Sequence, residues 1–119
     1  MNIVNLKLNG KDYKCTIGIG FLGEIIEKMD MDIDLLLTKY AKNPFKYVSL
    51  FAYHAIQWEL EEDGKEIDFT LKEMRGWIDK EGGLKNTEMI KFSKAFTKYM
   101  LKDVPTDDEK QSEGDSKKK

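Results

Sequence analysis

The sequence predicts a mostly helical fold entered through an N-terminal β-hairpin, and three observations predict it. Two short alternating segments flank Asn9-Gly10. From Ile19 onward the apolar residues recur at helical spacing. Beyond Val104-Pro105 the apolar residues stop. The expected architecture is a β-hairpin, about five helices packed around a central aromatic helix, and a disordered C-terminal tail. The expected division is a helical domain over 1–104 and a charged tail over 105–119. A chain of 119 residues has no room for two independent cores.

The hairpin reading rests on residues 3–8 and 12–17, which mix apolar and polar positions, with Asn-Gly between them. That dipeptide is the strongest short hairpin signal, because both turn residues must tolerate positive φ. A lone hairpin is marginal in water, so it must lie against helices or another chain. The first helix carries Leu22, Ile25, Ile26 and Met29. Asp32 is placed as the N-cap of a second helix, which stops before Asn43, with Met31 and Leu36 spaced as a hydrophobic staple. Asn43-Pro44 reads as N-cap followed by proline at the first helical position. The helix from Pro44 to about Glu61 is apolar on two sides. Tyr47, Phe51, Ala55 and Trp58 lie on one; Ala52, Ile56 and Leu60 lie nearly opposite, with Tyr53 beside them. A helix apolar on two sides is packed on two sides, which makes this one central.

Thr70-Leu71-Lys72-Glu73 matches a capping box and opens a fourth helix ending at Gly82-Gly83. The last helix runs from near Asn86-Thr87 to near Lys102, with Met89, Phe92, Phe96 and Tyr99 on one face. Residues 106–119 contain no apolar side chain, so burial cannot offset the entropy of ordering them.

Composition bounds the function. Lys and Arg number 20 against 22 Asp and Glu, a net charge of −2. A nucleic-acid binder carries a clustered basic excess, and no nucleic-acid partner is expected. One cysteine, Cys15, argues for a reducing compartment. The N-terminus lacks signal-peptide character, and the most apolar run, Val48 to Ile56, broken by Ser49 and His54, falls short of the ~20 residues a membrane span needs. No membrane partner is expected.

Chemistry-bearing patterns are few. Gly18-Ile19-Gly20-Phe21-Leu22-Gly23 is a literal G-x-G-x-x-G, but dinucleotide binding also needs a second parallel strand with an acid at its end. Here helix follows. The glycines read instead as a tight strand-to-helix turn, with Gly23 allowing close helix packing. His54 is the only histidine and has no visible nucleophile or orienting group. Cys15 reads as a small core thiol. Two Cys and His in total are too few for a zinc site. Asp30, Asp32 and Asp34 alternate as in a calcium loop but lack its glycine and closing glutamate; they read as helix caps. The stripe Tyr47, Phe51, Trp58 lacks the basic groove of a base-stacking platform. No catalytic residue, metal or cofactor is expected.

The run from Lys11-Asp-Tyr-Lys through Ile17-Gly-Ile-Gly-Phe-Leu-Gly-Glu-Ile25 resembles the opening of tail assembly chaperones of long-tailed, siphovirus-type bacteriophages. The resemblance extends loosely over residues 6–102. It implies a non-enzymatic protein that binds the tape measure protein, keeps it soluble and helps recruit tail tube subunits during assembly. It also implies residence in the host cytoplasm and absence from the finished virion. Family members are often made in a second, longer form by ribosomal frameshifting. The terminal Lys117-Lys118-Lys119 fits an A-rich slippery site, or else a solubilising tail; the codons distinguish these. The alternatives are a tail structural or adaptor protein retained in the virion, a small regulatory or nucleic-acid-binding protein, and an enzyme.

A chaperone must offer apolar surface to its client. The expected partner-binding residues are Tyr53, Ile56 and Leu60 on the central helix and Phe92, Phe96 and Tyr99 on the last. The hairpin edge is a further site for pairing with a second copy, so a homo-oligomer is a possible state.

Overall fold

The computed structural model describes residues 2–102. The tail expected over 105–119 lies outside them. Strands β1 (Asn2–Leu8) and β2 (Lys11–Ile17) are followed by five α-helices: α1 (Ile19–Met29), α2 (Ile33–Lys42), α3 (Pro44–Glu62), α4 (Leu71–Lys80) and α5 (Thr87–Lys102). A short 3-10 turn, Gly83–Lys85, joins α4 to α5.

The hairpin forms because Asn9 and Gly10 both adopt left-handed φ, 52° and 79°. That pair of values gives the primed turn whose twist matches its strands. The strands pair antiparallel from Leu8 opposite Lys11 to Asn2 opposite Ile17. Alternation then puts Val4, Leu6, Leu8, Cys15 and Ile17 on one buried face, while Ile3, Asn5 and Lys7 face out. β2 lies along α3 and β1 along α5. With a two-residue turn, the Lys7 N–H points away from β2. It donates to Glu88 Oε1 at 2.8 Å, so α5 covers part of the exposed strand edge. Burial alone would raise the Glu88 pKa, but the Lys7 N–H and Lys91 outweigh it and hold the carboxyl below its usual value.

Each helix boundary has a local cause. Asp30 ends α1 in the left-handed conformation at φ 52°, a state aspartate tolerates better than most side chains. The Asp32 carboxylate accepts the Leu35 N–H at 2.8 Å and caps α2. Thr70 and Glu73 form a reciprocal capping box at α4. Buried Asn86 caps α5 through Oδ1, which accepts the Met89 N–H at 2.9 Å, and its Nδ2 ties back to the Glu81 carbonyl at 2.9 Å. Asn43 departs from expectation: its side chain makes no capping bond. Its backbone is committed to two helices at once, closing α2 through the Lys39 carbonyl and opening α3 through its own. Proline at the first position of α3 starts that helix unaided.

α3 is the hub. It touches β2, α1, α2, α4 and α5, which accounts for its two apolar sides. On one side Phe51 lies 5.7 Å from Tyr40 and 5.2 Å from Phe96, centroid to centroid. On another, Tyr53 meets Phe69 at 5.8 Å, and Phe69 also meets Tyr13 and Trp77 at 5.2 and 4.9 Å. The α1 contact corrects the expected role of Gly23. A Cβ on Gly23 would meet nothing within 4 Å, whereas one on Gly20 would lie 2.4 Å from Trp58 Cζ2. The indole of Trp58 occupies the space a side chain at Gly20 would need, so Gly20 is the close-packing glycine. Gly18 is extended, at φ −162°, a conformation open to any residue.

Candidate functional site: an open apolar groove

Three of the expected partner-binding residues are sealed inside the chain. Ile56, Phe92 and Phe96 are at most 1% exposed. For the two phenylalanines the reason is the aromatic stack: Phe96 packs on Phe51, Tyr40 and Phe92, so Phe92 and Phe96 are spent on the core. Tyr53 is half-buried, and its hydroxyl donates to the Phe69 carbonyl at 2.9 Å. Leu60 is half-buried beside a concavity of about 170 Å³ rimmed by Asp12, Glu59 and Asp63. Tyr99 is half-buried on the core's margin.

The open apolar surface lies elsewhere. Six large apolar side chains are exposed among the described residues, and three of them (Phe45 at 57%, Leu84 at 66%, Ile90 at 42%) line one groove of about 440 Å³. Singly exposed apolar residues are ordinary; three sharing one concavity are not. The walls are the first turns of α3, the end of α4, the 3-10 turn and the start of α5. Val48, Ile78 and Met89 form its floor, all buried.

Two cations, Lys46 and Arg75, line this groove, and Arg75 is held by hydrogen bonds. Arg75 Nε donates to Ser49 Oγ at 2.9 Å and Nη2 donates to the Lys46 carbonyl at 3.0 Å. Ser49 is itself buried and faces the Phe45 and Lys46 carbonyls at 3.2 Å. The ion pairs within 4 Å among the described residues are Lys14–Glu59, Lys28–Glu24 and Lys91–Glu88. Arg75 is in none of them, although Asp79 lies on the same wall. Two of its five N–H donors are used among the described residues.

The periodicity that locates the core misses this groove. Ile90 sits one position after Met89, off the Met89–Phe92–Phe96 stripe. Phe45 is in phase with Ala52 and Ile56 but lies in the first turn of α3, where it stays 57% exposed. Leu84 follows a glycine pair in a turn. For Ile90 the available signal is a large apolar residue out of phase with its own helix; for Phe45 and Leu84 it is a large apolar residue at a helix end or in a turn.

The titratable groups considered from sequence are otherwise engaged. His54 is half-buried; burial lowers its pKa, against a hydrogen bond to Gln57 at 3.1 Å that raises it. Cys15 is fully buried, and desolvation pushes its thiol far above the normal range, so the thiolate is suppressed. Thr16 donates to Glu59 at 2.9 Å across β2 and α3, a link the sequence pattern does not announce. Gly18, Gly20 and Gly23 follow a strand paired only antiparallel among the described residues. No group of three metal-ligating side chains converges among these residues, and none of their helices is long and apolar enough to cross a membrane. Compared with protein-family models, curated proteins and solved structures, the chain matches none of them.

Proposed function

We propose that this chain is a tail assembly chaperone of a long-tailed bacteriophage. It binds the tape measure protein, keeps it soluble in the host cytoplasm, helps recruit tail tube subunits, and leaves before the virion is finished. It acts by binding alone, without catalysis or a cofactor. The observation that carries this reading is the open apolar groove. A protein that holds an aggregation-prone client must present apolar surface of its own, and Phe45, Leu84 and Ile90 do so around a buried floor. The hairpin-to-helix run over residues 11–25 supplies the family resemblance.

The test is co-expression with the tape measure protein of the same phage. The client moves into the soluble fraction and co-purifies with this chain. A client that stays insoluble and unassociated contradicts the proposal. Abundant presence of this chain in purified virions contradicts the chaperone role and favours a structural or adaptor subunit.

A further inference from the structure

Resting on that reading, we infer that the groove between α3, α4 and α5 takes an amphipathic α-helix of the client, apolar on the side facing Phe45, Leu84 and Ile90 and carrying one carboxylate that pairs with Arg75. The walls decide the occupant's backbone. All come from helices and a 3-10 turn, with no strand edge among them. An occupant therefore finds no ladder of N–H and C=O groups to join. Entering an apolar groove, it must satisfy its own backbone internally, which a helix does.

Charge decides what the helix carries. Arg75 is anchored by Ser49 and the Lys46 carbonyl and has no carboxylate within 4 Å among the described residues. A guanidinium held with donors to spare is preorganised for a carboxylate. The N-terminus of α3, whose first residues line the same groove and whose Asn43 side chain makes no capping bond, adds positive potential there. A volume of about 440 Å³ accepts a few side chains, the scale of the anchors a docked helix inserts at i, i+3 or i+4 and i+7. The chain's own residues 106–119 contain no apolar side chain to seat there.

The test uses labelled overlapping peptides of the tape measure protein, each about 25 residues or several helical turns long. They are titrated against the full chain by fluorescence anisotropy. At least one binds and gains helix by circular dichroism. Leu84→Lys and Ile90→Lys each weaken it by about tenfold or more, as central interface residues do. Arg75→Glu weakens it similarly, and replacing the peptide's acid by lysine restores binding to that variant. Ile19→Lys, at a residue 77% exposed outside the groove, changes nothing. Leu84 projects from a turn, so its variant keeps the fold, which the circular dichroism of the protein verifies.

The inference is overturned if no peptide binds, if binding ignores the groove variants, or if Ile19→Lys weakens it equally. It is also overturned if Leu84→Lys turns an oligomer into a monomer, which assigns the groove to a second copy. Tape measure protein solubilised equally by wild type and Leu84→Lys sinks the groove but leaves the chaperone role. Failure of wild type to solubilise it removes the chaperone role itself.

Discussion

The aromatic centre and the groove share α3 and α5 and end in opposite states. Around Phe51, the rings of Tyr40, Phe92 and Phe96 close on one another and exclude water. Less than two turns away along α3, Phe45 stands 57% exposed beside Leu84 and Ile90. Both regions are apolar, and both draw on α3 and α5. The difference is cover. Phe92 and Phe96 share a stripe that the rest of the fold closes over, whereas Ile90 lies off that stripe and Phe45, in phase with buried Ala52 and Ile56, sits in the first turn of α3 beyond what covers them. An apolar side chain is consumed by the fold where another element covers it; off the stripe or at a helix end it is left for something else.

Substitutions sharpen this contrast. Phe96→Ala opens a cavity in the sealed centre and costs about 3–5 kcal/mol in urea unfolding. Phe45→Ala, in the open region, stays within about 0.5 kcal/mol. Comparable losses at the two sites would erase the distinction.

The next largest effect separates two glycines of one helix. Gly20→Ala drives a methyl group into Trp58 and costs about 1–3 kcal/mol. Gly23→Ala meets open space and replaces a poor helix former, stabilising by about 0.5–1 kcal/mol. Thermal melts of the pair check both signs. If both destabilise, the indole is not what excludes a side chain.

Smaller still is the cap of α4. Thr70→Ala removes the hydroxyl that accepts the Glu73 N–H at 3.1 Å. It costs about 0.5–2 kcal/mol, with the urea midpoint as readout.

The smallest effect is one of pH. Burial holds the His54 pKa below 6.5 in the fold. Acidification through 6.5 therefore protonates the unfolded chain first, and stability falls as pH drops through that window. His54→Gln flattens the pH 7.5 to 5.5 dependence of the urea midpoint. An unchanged slope means that other groups carry it.

Much of the fold was legible because local rules governed it. Asn9-Gly10 set the hairpin, Thr70 with Glu73 set the start of α4, and the double-sided apolar pattern of α3 announced a helix packed on both sides. The expected site was legible only in part. Periodicity identified Phe92 and Phe96 as a face that must be covered, but what covers a face is decided by tertiary packing. For Phe96 that cover is Phe51 and Tyr40 of the same chain. Gly20 and Gly23 looked alike for the same reason, since only the docked position of Trp58 tells them apart. Arg75 gave no local sign at all. Its anchor, Ser49, is 26 residues away in sequence.

The most direct test of the account is co-expression of the tape measure protein with wild type, Leu84→Lys and Ile19→Lys in parallel. The soluble, co-purifying client is abundant with wild type and Ile19→Lys and falls about tenfold with Leu84→Lys. A client equally soluble with all three contradicts the groove as the binding surface, and a client insoluble with wild type contradicts the chaperone role.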